Sequence, residues 1–131
     1  MATDVRWKQR FESFGQALER LEEALEQEAW KELEQDGVIK RFEFTFELAW
    51  KTLQDFYEFE GLLNIHGPKQ VLKQAFHDGL IADGEGWIEI LKDRNLMAHT
   101  YDAEASQSLF EKIRNKYFQA LCDLYKVLEK K

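Results

Sequence analysis

The sequence predicts an all-α protein, an up-and-down four-helix-type bundle with one additional short helix. Two observations carry that expectation. Apolar residues recur at steps of four and three through most of the chain, the period of a helix that buries one face. No run alternates with period two, as a half-buried strand would. A chain of 131 residues that is 44% hydrophobic can bury a substantial core. One helical domain spanning residues 1–131 is therefore expected.

The first helix is expected from about residue 4 to 28. Trp7, Phe11, Phe14, Leu18, Leu21 and Leu25 form its apolar stripe, and glutamates fill the other faces. The rhythm stumbles near Trp30 and Leu33, and Asp36-Gly37 reads as the break. A second helix is expected from about Val38 to Glu60. Phe42, Phe46, Ala49, Leu53 and Phe56 line one face, widened by Trp50 and Tyr57. Phe44, Leu48 and Phe59 lie roughly opposite, beside Arg41 and Asp55. A helix apolar on two faces must bury both, which calls for a second helix layer or a partner chain.

Gly61 ends that helix, and Pro68 suits the first position of a short third one. Val71, Leu72, Ala75 and Phe76 should face inward there, with Gly79 as its C-terminal cap. Asp83 or Glu85 can favour the start of a fourth helix, with Trp87, Ile90, Leu91 and Leu96 or Met97 as its apolar positions. Asp102 is the expected N-cap of the last helix. Leu109, Ile113, Ala120, Leu124 and Val127 are its expected inner face, flanked by Phe110, Tyr117, Leu121 and Leu128.

Several function classes are disfavoured. A lone cysteine, Cys122, allows no intrachain disulfide and fits a reducing, cytoplasmic setting. No apolar run is long enough to span a membrane, and the N-terminus has no apolar leader, so no membrane partner is expected. His66, His77 and His99 show no metal-ligand spacing, so neither metal nor cofactor is expected. There is no phosphate-binding glycine loop, dinucleotide fingerprint or Ser-His-Asp order. The net charge of −7 opposes nonspecific nucleic-acid binding. Any RNA contact must then be local. Lys40, Arg41, Lys92 and Arg94 are the candidate positions, whereas Lys112, Arg114 and Lys116 read as solvated helix faces.

The segment from Asp93 to Asp102 carries the chemistry. Arg94 offers a permanent cation with forked donors that match a phosphate. His99 can give or take a proton near neutral pH. Tyr101 adds a hydroxyl. Together they suit a phosphodiester better than a core. The alternative is structural: Arg94 in a surface ion pair, and His99 complementing the dipole of a helix end. On a regular helix Arg94 and His99 are splayed by roughly 140°, so one copy does not converge them. Two copies across a two-fold axis would.

Arg94-x4-His99-x-Tyr101 resembles the R-x-x-x-x-H-x-Y motif of HEPN domains (higher eukaryotes and prokaryotes nucleotide-binding). The run Arg41-Phe42-Glu43-Phe44-Thr45-Phe46-Glu47-Leu48-Ala49-Trp50-Lys51-Thr52-Leu53 resembles the second helix of one subgroup, the nucleotidyltransferase substrate-binding proteins. Gly67-Pro68, Ala75, Gly79, Trp87, Asp93-Arg94-Asn95 and His99-Thr100-Tyr101-Asp102 extend the likeness over roughly residues 5–128. The resemblance implies a HEPN-like bundle, a homodimer with its site at the interface, and a minimal nucleotidyltransferase encoded nearby as partner. It implies a toxin–antitoxin pair in which this chain is a metal-independent endoribonuclease acting on RNA. Arg94 and His99 would be catalytic, Tyr101 would be adenylylated by the partner, and Asp93 and Asn95 would be supporting polar neighbours. The alternative is a noncatalytic accessory subunit that binds the substrate or nucleotide of the partner enzyme.

Overall fold

A computed structural model describes residues 2–99 and 102–131. The chain folds as helices α1 (Ala2–Leu25), α2 (Glu32–Phe59), α3 (Gly67–His77), α4 (Gly84–His99), α5 (Ala103–Lys112) and α6 (Phe118–Glu129). A five-residue π-helical turn, Ile113–Tyr117, joins α5 to α6 with helical backbone throughout, so the three run as one rod.

α1 and α2 form an antiparallel hairpin. Arg10 pairs with Asp55, Ala17 accepts from Thr45 and Arg20 accepts from Arg41, so partners step backward along α2 as they advance along α1. The apolar stripe of α1 is largely buried: Trp7, Phe14, Leu18 and Leu21 are all below a tenth exposed. They meet the buried face of α2 formed by Val38, Phe42, Phe46, Ala49, Leu53 and Phe56. α2 is the central element and packs on α1, α3, α5 and α6. The α5–α6 rod sets Phe110 edge-on to Trp30 at one end and stacks Tyr125 against Phe11 towards the other. α4 runs antiparallel to the rod, since Glu89 meets Lys116 and Asp93 meets Lys112. The four long elements thus alternate in direction, with α3 as the short crossover.

Two expected boundaries move. α1 ends at Leu25, and the break falls at residues 26–31 rather than at Asp36-Gly37. The Trp30 indole donates to the Ala24 carbonyl at 2.8 Å, using an acceptor that the helix end leaves unpaired. Glu34 accepts from the Lys31 backbone amide at 2.8 Å, half of a capping box that starts α2 six residues earlier than expected. Gly37 lies inside α2 on its exposed side, a helix-weakening residue outvoted by that cap and by Val38 and Ile39 in the core.

The inner face of the last rod also shifts. Leu121, Leu124 and Leu128 are buried, whereas Ala120 and Val127 are only half-buried. The π turn inserts one extra residue per turn, which advances every later position by about one residue around the rod. Phe76 does not face inward; it is 52% exposed, its ring lying over Gly84. Asp55, placed by periodicity on the outer face, is buried and held by Arg10 at 2.8 Å. The expected caps hold. Gly79 has φ +78, a conformation that L side chains rarely adopt, Asp83 accepts from the Gly86 amide, and Asp102 from the Glu104 amide.

Candidate functional site at the end of α4

α4 brings Asp93, Arg94, Asn95 and His99 to its C-terminal half. The helix is fixed at its base by Trp87, Ile90 and Leu91, all buried. Trp87 stacks on Phe46 of α2. Beyond Leu91 the apolar anchoring thins: Met97 packs partly on the core while Leu96 is 53% exposed. Charged contacts take over the task of orienting the helix.

Asp93 faces the rod. It accepts from the Tyr117 hydroxyl in a short hydrogen bond and from Lys112 Nζ at 3.1 Å. Tyr117 is 2% exposed and stacks on Phe42, so the acceptor for its hydroxyl is set in a rigid surround. Burial, then the hydrogen bond to Asp93, pushes the Tyr117 hydroxyl pKa well up, keeping it a donor. Lys112 also reaches Glu89 at 3.3 Å, and Lys116 reaches Glu89 at 2.9 Å. The hydrogen bond to Asp93 raises the Lys112 pKa, and that to Lys116 lowers the Glu89 pKa. The π turn matters here because it turns Tyr117 and Lys112 toward one carboxylate of α4.

Arg94 faces α2. Its Nη2 lies 2.5 Å from Glu47 Oε1, and its Nη1 donates to Asn95 Oδ1 at 3.3 Å. The Arg94 side chain is 32% exposed and that of Glu47 27%, so the pair is open to ligand from one side. His99 is exposed in the last turn of α4 and has no hydrogen-bond partner among the described residues. Tyr101 lies outside the described residues. Arg94 and His99 share the helix end without converging in one copy. Asn95 touches Arg94, and Asp93 supports the helix from the other side.

Sequence reasoning missed Glu47, which stood only as one residue of the run Arg41–Leu53 with no role of its own. It also missed Tyr117, which read as a flank of the inner face. Neither carries a local signal, because each acquires its role from a residue dozens of positions away. Of the other basic candidates, Arg114 is stacked over Trp30 at 4.4 Å and Lys112 and Lys116 are committed to carboxylates. Cys122 is half-buried, and burial pushes its thiol pKa up, against a nucleophilic role. Among the described residues no three His, Cys, Asp or Glu side chains gather as a metal site requires, and no helix is long and apolar enough to cross a membrane.

Comparison with known proteins fits this arrangement. A "Probable ribonuclease HepT" of Haemophilus influenzae is 31% identical over 81 residues, 59% of this chain. The match spans 56% of that relative's length. A crystal structure of a Thermus thermophilus protein superposes with TM-score 0.76 and 29% identity, covering 89% of this chain and 97% of the other. A Haemophilus influenzae structure, described as revealing the fold of a substrate binding domain of a nucleotidyltransferase, has TM-score 0.64 and 24% identity. It covers 97% of this chain and 98% of its own, and at that identity shows the fold alone. Residues 9–130 match the family described as "Nucleotidyltransferase substrate binding protein like". With the match running from α1 to the end of α6, the chain belongs to the HEPN-like nucleotidyltransferase substrate-binding family.

Proposed function

We propose that this chain is the HEPN subunit of a two-component system with a minimal nucleotidyltransferase, and that it is a metal-independent endoribonuclease. The observation that carries the reading is the pair Arg94–His99 on one helix end, with Arg94 already oriented by Glu47 and Asn95 and His99 open to solvent. The partial likeness to a probable ribonuclease supports it.

The chemistry needs only these groups and the RNA itself. The ribose 2′-oxygen attacks the adjacent phosphorus as the bond to the 5′-oxygen breaks. His99 takes the 2′-hydroxyl proton or returns one to the leaving oxygen. Arg94 balances charge that grows on the nonbridging oxygens. Glu47 holds the guanidinium in place until phosphate competes for its donors. The splay of roughly 140° between Arg94 and His99 on one helix is resolved in a homodimer, where Arg94 of one copy meets His99 of the other. Exposed Leu96, between Asn95 and Met97, is available to such a contact.

Tyr101 is the proposed site of control. Its hydroxyl attacks the α-phosphorus of ATP on the partner enzyme, pyrophosphate leaves, and the tyrosine carries AMP. The added phosphate, two residues from His99, would compete for Arg94 and block the cleft. The family's own description favours a second reading, in which the chain binds the partner's substrate or nucleotide without catalysis.

One experiment separates them. A mixed RNA pool is incubated with the purified protein and with His99→Ala, with EDTA present. Cutting by the parent that disappears in a folded His99→Ala variant is the expected result. Equal cutting, or none from either at high concentration, overturns the ribonuclease reading in favour of the accessory subunit.

A further inference from the structure

A second surface has the chemistry of a nucleic-acid contact. A groove of about 500 Å³ lies between α1 and α2, lined by Ser13, Gln16, Arg20, Lys40, Arg41 and Phe44 among others, with no carboxylate in its wall. In a chain of net charge −7 this is unusual. Three other grooves among the described residues include Glu85 and Glu89, Glu32 and Asp36, or Glu22 and Glu26. Arg20 and Lys40 are exposed and, among the described residues, form no ion pair. Arg41 spends one donor on the Arg20 carbonyl at 2.6 Å, which ties it to the wall and leaves most of its five donors.

Phe44 is 62% exposed in this setting. Its two companions on the outer face of α2 are less open: Phe59 is 41% exposed with its ring tilted against Trp7, and Leu48 packs partly against the core. Phe44 is therefore a lone aromatic ring among cations, not part of an apolar sheet of side chains. A two-fold contact between copies through this face would set Arg20, Lys40 and Arg41 near their own images, which is repulsive. A polyanion with planar bases fits both features at once.

The groove shares one side of α2 with the residue that holds Arg94. On α2, Lys40, Phe44 and Glu47 fall within about 60° of one another. Glu47 is the residue that holds Arg94. α2 descends as α4 rises, so Lys40 and Phe44 lie toward the same end of the bundle as His99.

We propose that the α1–α2 groove is a single-stranded RNA subsite, with Phe44 stacking on a base and Arg20, Lys40 and Arg41 meeting flanking phosphates. The strand then continues across α2 to Arg94. The assignment rests on the ribonuclease reading for its biological sense, but the binding it claims is measurable without cutting.

The test is binding of a short fluorescein-labelled single-stranded RNA by the full chain, read by anisotropy in EDTA, in parent and His99→Ala backgrounds. Phe44→Ala is expected to weaken binding about tenfold or more, and Phe44→Trp to restore it. Lys40→Gln and Arg20→Gln should each lower the salt slope by about 0.7. Phe44 is exposed, so these variants keep their fold, and light scattering reads their oligomeric state. Unchanged RNA affinity in Phe44→Ala overturns the subsite even if the parent cuts RNA, and the ribonuclease reading then stands. Loss of a dimer or of nucleotidyltransferase binding at unchanged RNA affinity overturns it too, assigning the face to a protein. No binding by the parent overturns it outright. Binding that depends on Phe44, without any His99-dependent cutting, keeps the subsite and removes the ribonuclease.

Discussion

The bundle has two kinds of seam. Between α1 and α2 the contact is mainly apolar, pinned by the Arg10–Asp55 pair: Trp7, Phe14, Leu21 and Phe56 are almost wholly buried, and Trp7 meets Phe56 edge-on at 5.1 Å. Between α4 and the α5–α6 rod the contact is largely charged, with Glu89 and Asp93 facing Lys112, Lys116 and Tyr117. Apolar burial is nondirectional and scales with area, so the first seam stabilises the fold without fixing a side chain to the ångström. Charged hydrogen bonds are directional and modest in net energy, so the second seam orients α4, while Glu47 of α2 holds Arg94.

Truncation of the apolar seam should have the largest effect. Phe56→Ala removes a ring with 6% exposure that meets Trp7 of α1 edge-on. It is expected to cost about 3–5 kcal/mol, read as a lowered denaturant midpoint. A loss below about 1 kcal/mol would mean that the hairpin does not carry the fold.

The charged seam should show the reverse balance. Asp93→Ala leaves the buried Tyr117 hydroxyl without its acceptor and Lys112 without one carboxylate. The expected cost is about 1–3 kcal/mol. On the proposed ribonuclease reading, RNA cutting, measured where the variant is fully folded, falls by about a hundredfold, because a misplaced helix end spoils attack geometry. Tyr117→Phe should remove the positioning with less loss of stability, since no polar group is stranded. Full activity in both variants would break the contrast between the seams.

The smallest effect is with pH. Lys116, more than any other group, lowers the Glu89 pKa in the folded protein. The contribution is therefore complete above the ordinary glutamate range of about 4.3 and is lost as pH falls through the lower folded value. Acid unfolding followed in parent and Glu89→Gln should show the parent losing slightly more stability on acidification. Parallel curves would leave Glu89 without a part in the seam.

Much of this was legible in the residues. The stripe Trp7-Phe11-Phe14-Leu18-Leu21 and the caps Gly79, Asp83 and Asp102 act locally, within a turn or two, and local signals survive into the fold. Gly37 misled because a helix tolerates one glycine when tertiary burial outweighs its cost. The inner face of the last rod misled because a π turn leaves no mark in a four–three pattern. The candidate residues Arg94 and His99 were legible as chemistry and as a family motif.

By itself, then, the sequence determined the helical class, the main apolar stripes and the family motif that names the candidate residues Arg94 and His99. Those properties belong to residue type and to spacing along one helix. The tertiary structure alone decided that Glu47 holds Arg94, that Tyr117 and Lys112 hold Asp93, and that Arg20, Lys40, Arg41 and Phe44 share one groove. Each pairing joins residues on different helices, and helix packing sets its distance through the summed burial of many side chains. No stretch of sequence encodes that sum.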